Sequence, residues 1–274
     1  MVRKLIATLS LSSIVLVGSL FAAQISEKRA EELSAYAELT LPSAAGVHPL
    51  AILLPGCLSW HPHHELWREA MLERGYAVLH VDSFAARGLA GRSTLERLVC
   101  SGAQLHGDER AGDVMSVLAS LRGRVDLNLA RTVIFGWSHG GWTALEFLSR
   151  VPAAAPSNIT TRTNLDGIEF LAAFIFYPYC GPGLLVGRDG YPQQTRTLVF
   201  HGSRDVVTNP RRCRARAAAL AEAGATIEFI SMQGSRHWFD NHTEAVTFDM
   251  AATARARAAI ETVLVELGNY QSAP

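Results

Sequence analysis

Residues 131–148, RTVIFGWSHGGWTALEFL, decide the fold. The apolar, β-branched run at 132–135 predicts a short buried strand, and a helical pattern begins near Gly140. Between them, Gly136-Trp137-Ser138-His139-Gly140 fits G-x-S-x-G, the nucleophile elbow, in which a serine sits on a sharp strand-to-helix turn. Such a turn strains the backbone at the serine and requires small neighbours two residues to either side. Glycine at 136 and 140 lets strand and helix approach without a Cβ clash. The helix start then aims unpaired N–H groups and a positive dipole end beside Ser138. Three fixed common residues are unspecific by themselves. The strand before, the helix after and two suitable partners downstream give the motif its weight.

Working outward, the N-terminus reads as an export signal. Arg3 and Lys4 precede an uncharged, mostly apolar run over residues 5–23, and the polar segment QISEKR follows. The residues before the candidate cleavage points are bulky (Leu20, Phe21), and the run is about long enough to span a bilayer. An uncleaved anchor is therefore the alternative to a cleaved signal. Both place the chain in the periplasm or outside the cell, and the segment is set aside from fold reasoning. The expected organisation is a signal or anchor over 1–23, a lead-in over 24–45, and a single catalytic domain over 46–274. With 49% hydrophobic residues, 18% charged residues and zero formal net charge, the composition gives no reason to propose nucleic acid as a partner. Proline, alanine and small polar residues over 151–163 predict a loop.

Strand and helix patterns alternate, which predicts an α/β fold with a mostly parallel central sheet. Strands are expected at 50–54, 76–81, 132–135, 170–177, 197–201 and 226–231. Helices are expected at 64–75, 108–121, 209–223 and 243–267, with a long connection over 83–107. Continuous apolar strands such as AILL and AFIF imply that helices cover both sheet faces. Reactive groups then belong at the carboxyl ends of the strands.

A serine hydroxyl at neutral pH needs a base, and the base needs an orienting acid. In α/β-hydrolases the chain order is serine, acid, histidine. Asp205 follows the expected strand at 197–201, and His237 follows the one at 226–231. The catalytic triad is therefore read as Ser138, Asp205 and His237. An aspartate in a turn is ordinarily a turn former, and a loop histidine is ordinarily structural. Joint placement after strands, in the required order, favours the catalytic reading. Asp240, Asp189 and Asp166 are rival acids, with Asp240 better suited to fixing the His237 loop; His201 and His242 are weaker bases. The oxyanion formed during acyl transfer needs two preorganised N–H donors. The expected pair is the backbone N–H of His139 and that of Cys57, in the loop LPGCLSW after the first core strand, with Leu58 next.

These segments together resemble the dienelactone hydrolase-like branch of the α/β-hydrolase superfamily. The resemblance rests on LLPGC, GYAVLHVDSFAARG, GWSHGG, FYPYCG, HGSRDVVTNPRRC and SRHWFD, and covers nearly the whole exported portion. It implies an α/β-hydrolase fold and an esterase or lactonase activity. Two departures matter. Pro55-Gly56 stands where the family usually has His-Gly, and Ser138 stands where the dienelactone hydrolases proper use cysteine. A serine esterase on that scaffold is the safer implication.

Four cysteines allow three pairings, and an exported protein is expected to form disulfides. Cys180 follows one strand and Cys213 opens the helix after the next, so these two are expected to pair. Cys57 and Cys100, both in loops on the catalytic side, form the other expected bridge; buried free thiols are the alternative.

His61-Pro62-His63-His64 invites a metal reading. Its spacing and the lack of a completing ligand set fit a helix N-terminus near the pocket mouth better. Leu58, Trp60, Trp137, Tyr177 and Trp238 are candidates for the pocket wall, with core packing as the competing role. Arg110 with Asp113, and Asp126 with Arg131, are expected as structural ion pairs. The sequence thus predicts a serine hydrolase of a small-molecule carboxylic ester or lactone, needing no cofactor and no metal. It has no nucleic-acid partner, and contacts a membrane only if the N-terminal segment is retained. The rivals are an amidase or peptidase on the same fold and a non-catalytic binding protein.

Overall fold

The apolar strands assemble into a seven-stranded sheet of order β1-β3-β2-β4-β5-β6-β7. The structure is a computed structural model in which residues 28–150, 165–187 and 190–269 are described. The export segment, the loop expected at 151–163, and Asp189 lie outside the described residues. The strands are β1 (Ala37–Thr40), β2 (His48–Leu54), β3 (Ala77–Val81), β4 (Leu127–Trp137), β5 (Phe170–Phe176), β6 (Arg196–Gly202) and β7 (Ile227–Met232). All neighbouring pairs are parallel except β1 with β3.

Successive side chains on a strand point to opposite faces, and here both faces are apolar. Leu50, Ile52 and Leu54 of β2 join Ile134, Ala173 and Ile175 in one core. Ala51 and Leu53 join Val133, Phe135, Phe174, Phe176 and Phe200 in the other. The first core is covered by α4 (Gly107–Ser120), α5 (His139–Arg150) and α6 (Pro210–Glu222), which contribute Val114, Leu118, Leu145, Leu148 and Leu220. The second is covered by α2 (Pro62–Glu73) and α7 (Met250–Asn269), through Trp67, Met71, Ala256, Ile260 and Val263. This two-sided burial is the physical reason the strands read as unbroken apolar runs.

The structure departs from the sequence expectations at several places, β4 for one starting at Leu127 and not at 132. The lead-in carries a helix, α1, over residues 28–34 and the edge strand β1, whose Leu39 opposes Leu79 of β3. Its alternating Ala-Glu-Leu-Thr, four residues with none buried, is too short a run to announce a strand. The connection over 83–107 contains a short helix, α3 (Arg92–Leu95), and a wider turn at Glu96–Cys100. Its Phe84, Leu89, Leu95, Val99 and Leu105 form a third small core against Cys57 and Leu58. Finally, α7 begins at Met250, not at 243. Asp249 stops the turns after His237 and caps the helix, its Oδ1 accepting from Ala252 N–H at 3.0 Å.

Candidate active site

Ser138 follows the last residue of β4 and has φ +52°, the left-handed conformation that a sharp elbow demands. Its turn is packed against the end of β2. A Cβ on Gly140 would sit 1.9 Å from the Leu54 carbonyl oxygen, so only glycine allows α5 to start there. Ser138 Oγ lies 3.1 Å from His237 Nε2. His237 Nδ1 lies 2.7 Å from Asp205 Oδ2. The loops carrying Asp205 and His237 follow β6 and β7 and touch each other, as Arg204 N–H donates to the Ser235 carbonyl at 2.9 Å. Ser138, Asp205 and His237 are largely buried.

Asp205 is tightly held. Its Oδ1 accepts from the N–H groups of Val207 (2.8 Å) and Thr208 (2.9 Å), and its Oδ2 accepts from the Thr208 hydroxyl (2.8 Å). His201 Nε2 is a further partner at 3.2 Å from Oδ2. Burial pushes the carboxyl pKa up, but hydrogen bonds from His201, His237 and the Thr208 backbone outweigh it and hold Asp205 well below the usual carboxylate range. It is a fixed anion behind His237. Neither His201 nor Thr208 stood out in the sequence as a partner of Asp205. A strand-end histidine and a loop threonine carry no local signal of that role.

Beside Ser138 runs the loop after β2. A Cβ on Gly56 would lie 3.5 Å from Ser138 Cβ, which places the following Cys57 next to the serine. Among the described residues, the N–H groups of Cys57, Leu58 and His139 donate to no protein acceptor. A disulfide joins Cys57 to Cys100 and ties this loop to the 83–107 connection. A second joins Cys180 to Cys213, so both expected pairings are present. Ser59, Leu105 and Trp238, like Ser138, have positive φ, and strained backbone thus gathers around the site.

Of the pocket candidates, Leu58, Trp60 and Trp238 are partly exposed. Trp137 and Tyr177 do not line a pocket. Both are buried beneath the elbow, donating to Asp240 through Nε1 (2.8 Å) and the hydroxyl (2.6 Å). Trp67 Nε1 reaches the same carboxyl at 3.3 Å. Asp240 therefore organises the layer under the site, consistent with fixing the His237 loop. Asp166 precedes β5, at the opposite edge of the sheet, and His242 is exposed.

The histidine run begins α2. His61 N–H donates to His64 Nδ1 at 2.9 Å, closing the helix start. Burial lowers the pKa of His63 to about 4 and that of His64 well below its ordinary value. Among the described residues no group of three or more His, Cys, Asp or Glu is arranged to hold a metal ion. The expected ion pairs are re-partnered. Asp113 pairs with Arg29 (2.8 Å) and Arg87 (2.6 Å), and Asp126 pairs with Arg124. Asp113 is taken by guanidiniums distant in sequence but near in space, whereas Asp126 goes to Arg124, nearer in the chain than Arg131.

No family model matches the chain, and no curated protein matches it. Solved structures do. A provisionally assigned dienelactone hydrolase from Klebsiella pneumoniae is similar at 15% identity and a TM-score of 0.61, over 84% of this chain and 98% of that one. Esterase 2 of Thermogutta terrifontis, phosphorylated by paraoxon, is similar at 18% identity and a TM-score of 0.62, over 85% and 88%. The same esterase with propionate bound gives 18% identity and a TM-score of 0.58, over 85% and 89%. With its mostly parallel sheet covered on both faces and these structural neighbours, the chain has the α/β-hydrolase fold.

Proposed function

We propose that this protein is an exported serine hydrolase that cleaves a small carboxylic ester or lactone. The observation that carries the reading is the hydrogen-bonded series Ser138 Oγ–His237 Nε2 (3.1 Å) and His237 Nδ1–Asp205 Oδ2 (2.7 Å). Ser138 Oγ attacks the carbonyl carbon while His237 Nε2 takes its proton. The N–H groups of His139 and Cys57 receive the developing oxyanion. Collapse of the tetrahedral intermediate expels the alcohol, which takes the proton back from His237. Water then attacks the acyl-Ser138 with His237 again as base, releasing the carboxylic acid and restoring the serine. Asp205 holds the imidazole tautomer and stabilises the imidazolium. Three side chains and two backbone groups complete this chemistry, and no cofactor is invoked.

The structural neighbours support an ester as substrate, since they are called esterase and dienelactone hydrolase. Two disulfides favour an oxidising compartment, hence the periplasm or the cell exterior. Among the described residues no helix is long and apolar enough to cross a membrane. The proposed domain organisation is the signal or anchor, lead-in and single catalytic domain read from the sequence, with the domain extended to take in β1 of the sheet. The test is hydrolysis of p-nitrophenyl esters of graded acyl length by wild type and Ser138→Ala. Loss of the nucleophile is expected to lower kcat by several orders of magnitude, and a fluorophosphonate is expected to label wild type alone. Equal turnover by both proteins would refute the assignment of Ser138.

A further inference from the structure

Arg110 is the most unusual buried group outside the triad. It lies in α4, is 1% exposed, and forms no ion pair with a carboxylate within 4.0 Å among the described residues. The neighbouring Asp113, its expected partner, is occupied by Arg29 and Arg87. One nitrogen of Arg110 does all its hydrogen bonding. Nη1 donates to the Pro55 carbonyl at 3.1 Å and to His139 Nδ1 at 3.0 Å, while Nε and Nη2 are buried without a partner. The guanidinium also lies 4.5 Å over the Phe84 ring.

Its two acceptors sit on the two segments that supply the oxyanion donors. Pro55 lies two residues before Cys57, and His139 carries the other N–H. Because arginine only donates, His139 Nδ1 must accept. The proton is then on Nε2, which donates to the Leu105 carbonyl at 2.9 Å. Leu105 has φ +56°, so a strained residue completes the bridge. Burial, and then Arg110, lower the His139 pKa to about 3, which keeps this ring neutral. Burial lowers Arg110 itself only to about 10, so it stays cationic at neutral pH. A buried cation with no contact ion pair, offset only at longer range by the charges of Asp113 and Asp82, is costly, and a packing role alone is met by an apolar side chain of similar volume.

We propose that Arg110 is a positioning residue for acyl transfer, one that locks the Cys57 and His139 N–H groups at a fixed separation and sets a positive charge behind them. The inference rests on the reading of Ser138 as nucleophile. Arg110 touches no reacting atom. It acts through Pro55 and His139, and its benefit is largest where negative charge develops on the tetrahedral intermediate.

The experiment compares wild type, Ser138→Ala, Arg110→Met, Arg110→Lys and His139→Asn on one p-nitrophenyl ester, with arylboronate inhibition measured in parallel. A boronate forms a tetrahedral anion on the serine oxygen and so reads the oxyanion site directly. In Arg110→Met, kcat is expected to fall about ten- to a hundredfold with KM little changed, since a displaced donor costs less than a deleted one. Boronate affinity is expected to fall in step. Arg110→Lys recovers part of both, and the double variant with His139→Asn loses less than the product of the single losses. A folded Arg110→Met with wild-type kcat and boronate affinity, or with its loss wholly in KM, overturns the proposal. If Arg110→Met does not fold, wild-type kcat and boronate affinity in both Arg110→Lys and His139→Asn overturn it equally. Failure of the parent reading looks different: wild type is then no more active than Ser138→Ala, and this inference falls with it.

Discussion

Replacing Gly140 with alanine tests the elbow by adding a single methyl group. An ideal Cβ at this position lies 1.9 Å from the Leu54 carbonyl oxygen, 2.5 Å from its carbon and 2.6 Å from the Pro55 oxygen. An ordinary carbon–oxygen contact is about 3.3 Å, so α5 must retreat from β2 by roughly an ångström or more. The obstacles are backbone atoms at the carboxyl end of β2 and cannot rotate away. Overpacking costs about 1–3 kcal/mol where side chains can adjust, so a loss of about 3 kcal/mol or more is expected here. For a domain of this size that lowers Tm by about 6–12 °C. Gly112 is the control. It lies inside α4 with no atom within 4 Å of an added Cβ. Gly112→Ala is therefore expected to stabilise the protein by about 0.5–1 kcal/mol, because glycine in a helix interior is entropically unfavourable. Urea unfolding and ester turnover, measured on both variants, give opposite signs in stability and a large loss of turnover for Gly140→Ala alone. Wild-type stability and turnover in Gly140→Ala would refute the close approach of α5 to β2.

Three other perturbations have definite expected outcomes. Asp205 has a folded pKa held below its unfolded value near 3.9. Its contribution to stability is therefore complete above about pH 4 and is lost as pH falls further, through the folded value. The stability gap between wild type and Asp205→Asn, from urea unfolding at several pH values, is expected to narrow only below about pH 4; a gap independent of pH would contradict this. The two disulfides close loops with sequence separations of 43 and 33, so each stabilises by about 4 kcal/mol on the chain-entropy account. Removing Cys57–Cys100 is nevertheless expected to lower kcat much more than removing Cys180–Cys213, because only the first anchors the loop beside Ser138. Asp240→Ala leaves the donors of Trp67, Trp137 and Tyr177 buried without their acceptor, and is expected to cost about 3–5 kcal/mol by chemical denaturation. Tyr177→Phe, which leaves the other two donors in place, is expected to cost about 1 kcal/mol.

The elements read correctly from sequence are those whose signal is local. Residues 50–54 and 170–176 announce buried strands because each residue is apolar on whichever face it points to. Ser138, Asp205 and His237 were legible as a set because each follows a strand end, and in a parallel sheet strand ends share an edge. The structure brings the three within hydrogen-bonding distance. The disulfides were legible for the same reason, since Cys180 and Cys213 flank neighbouring strand ends. Local signal failed for β1, whose alternating Ala-Glu-Leu-Thr is only four residues long. It failed too at the start of α7, where a favourable helical run from 243 is stopped by the Asp249 cap.

The sequence by itself determined the class of fold, the alternation of its core strands and their covering helices, and the chemical type of the residues at their ends. Apolar period, glycine spacing and strand–helix alternation act over a few residues and need no knowledge of neighbours in space. Only the tertiary structure decided partners. It took Asp113 from Arg110 and gave it to Arg29 and Arg87, and it turned Trp137 and Tyr177 downward onto Asp240. It also left Arg110 as a buried cation spanning Pro55 and His139. Such partnerships join positions tens of residues apart. They follow from which buried polar groups must find one another once the sheet closes over both cores, and no local pattern in the chain encodes that.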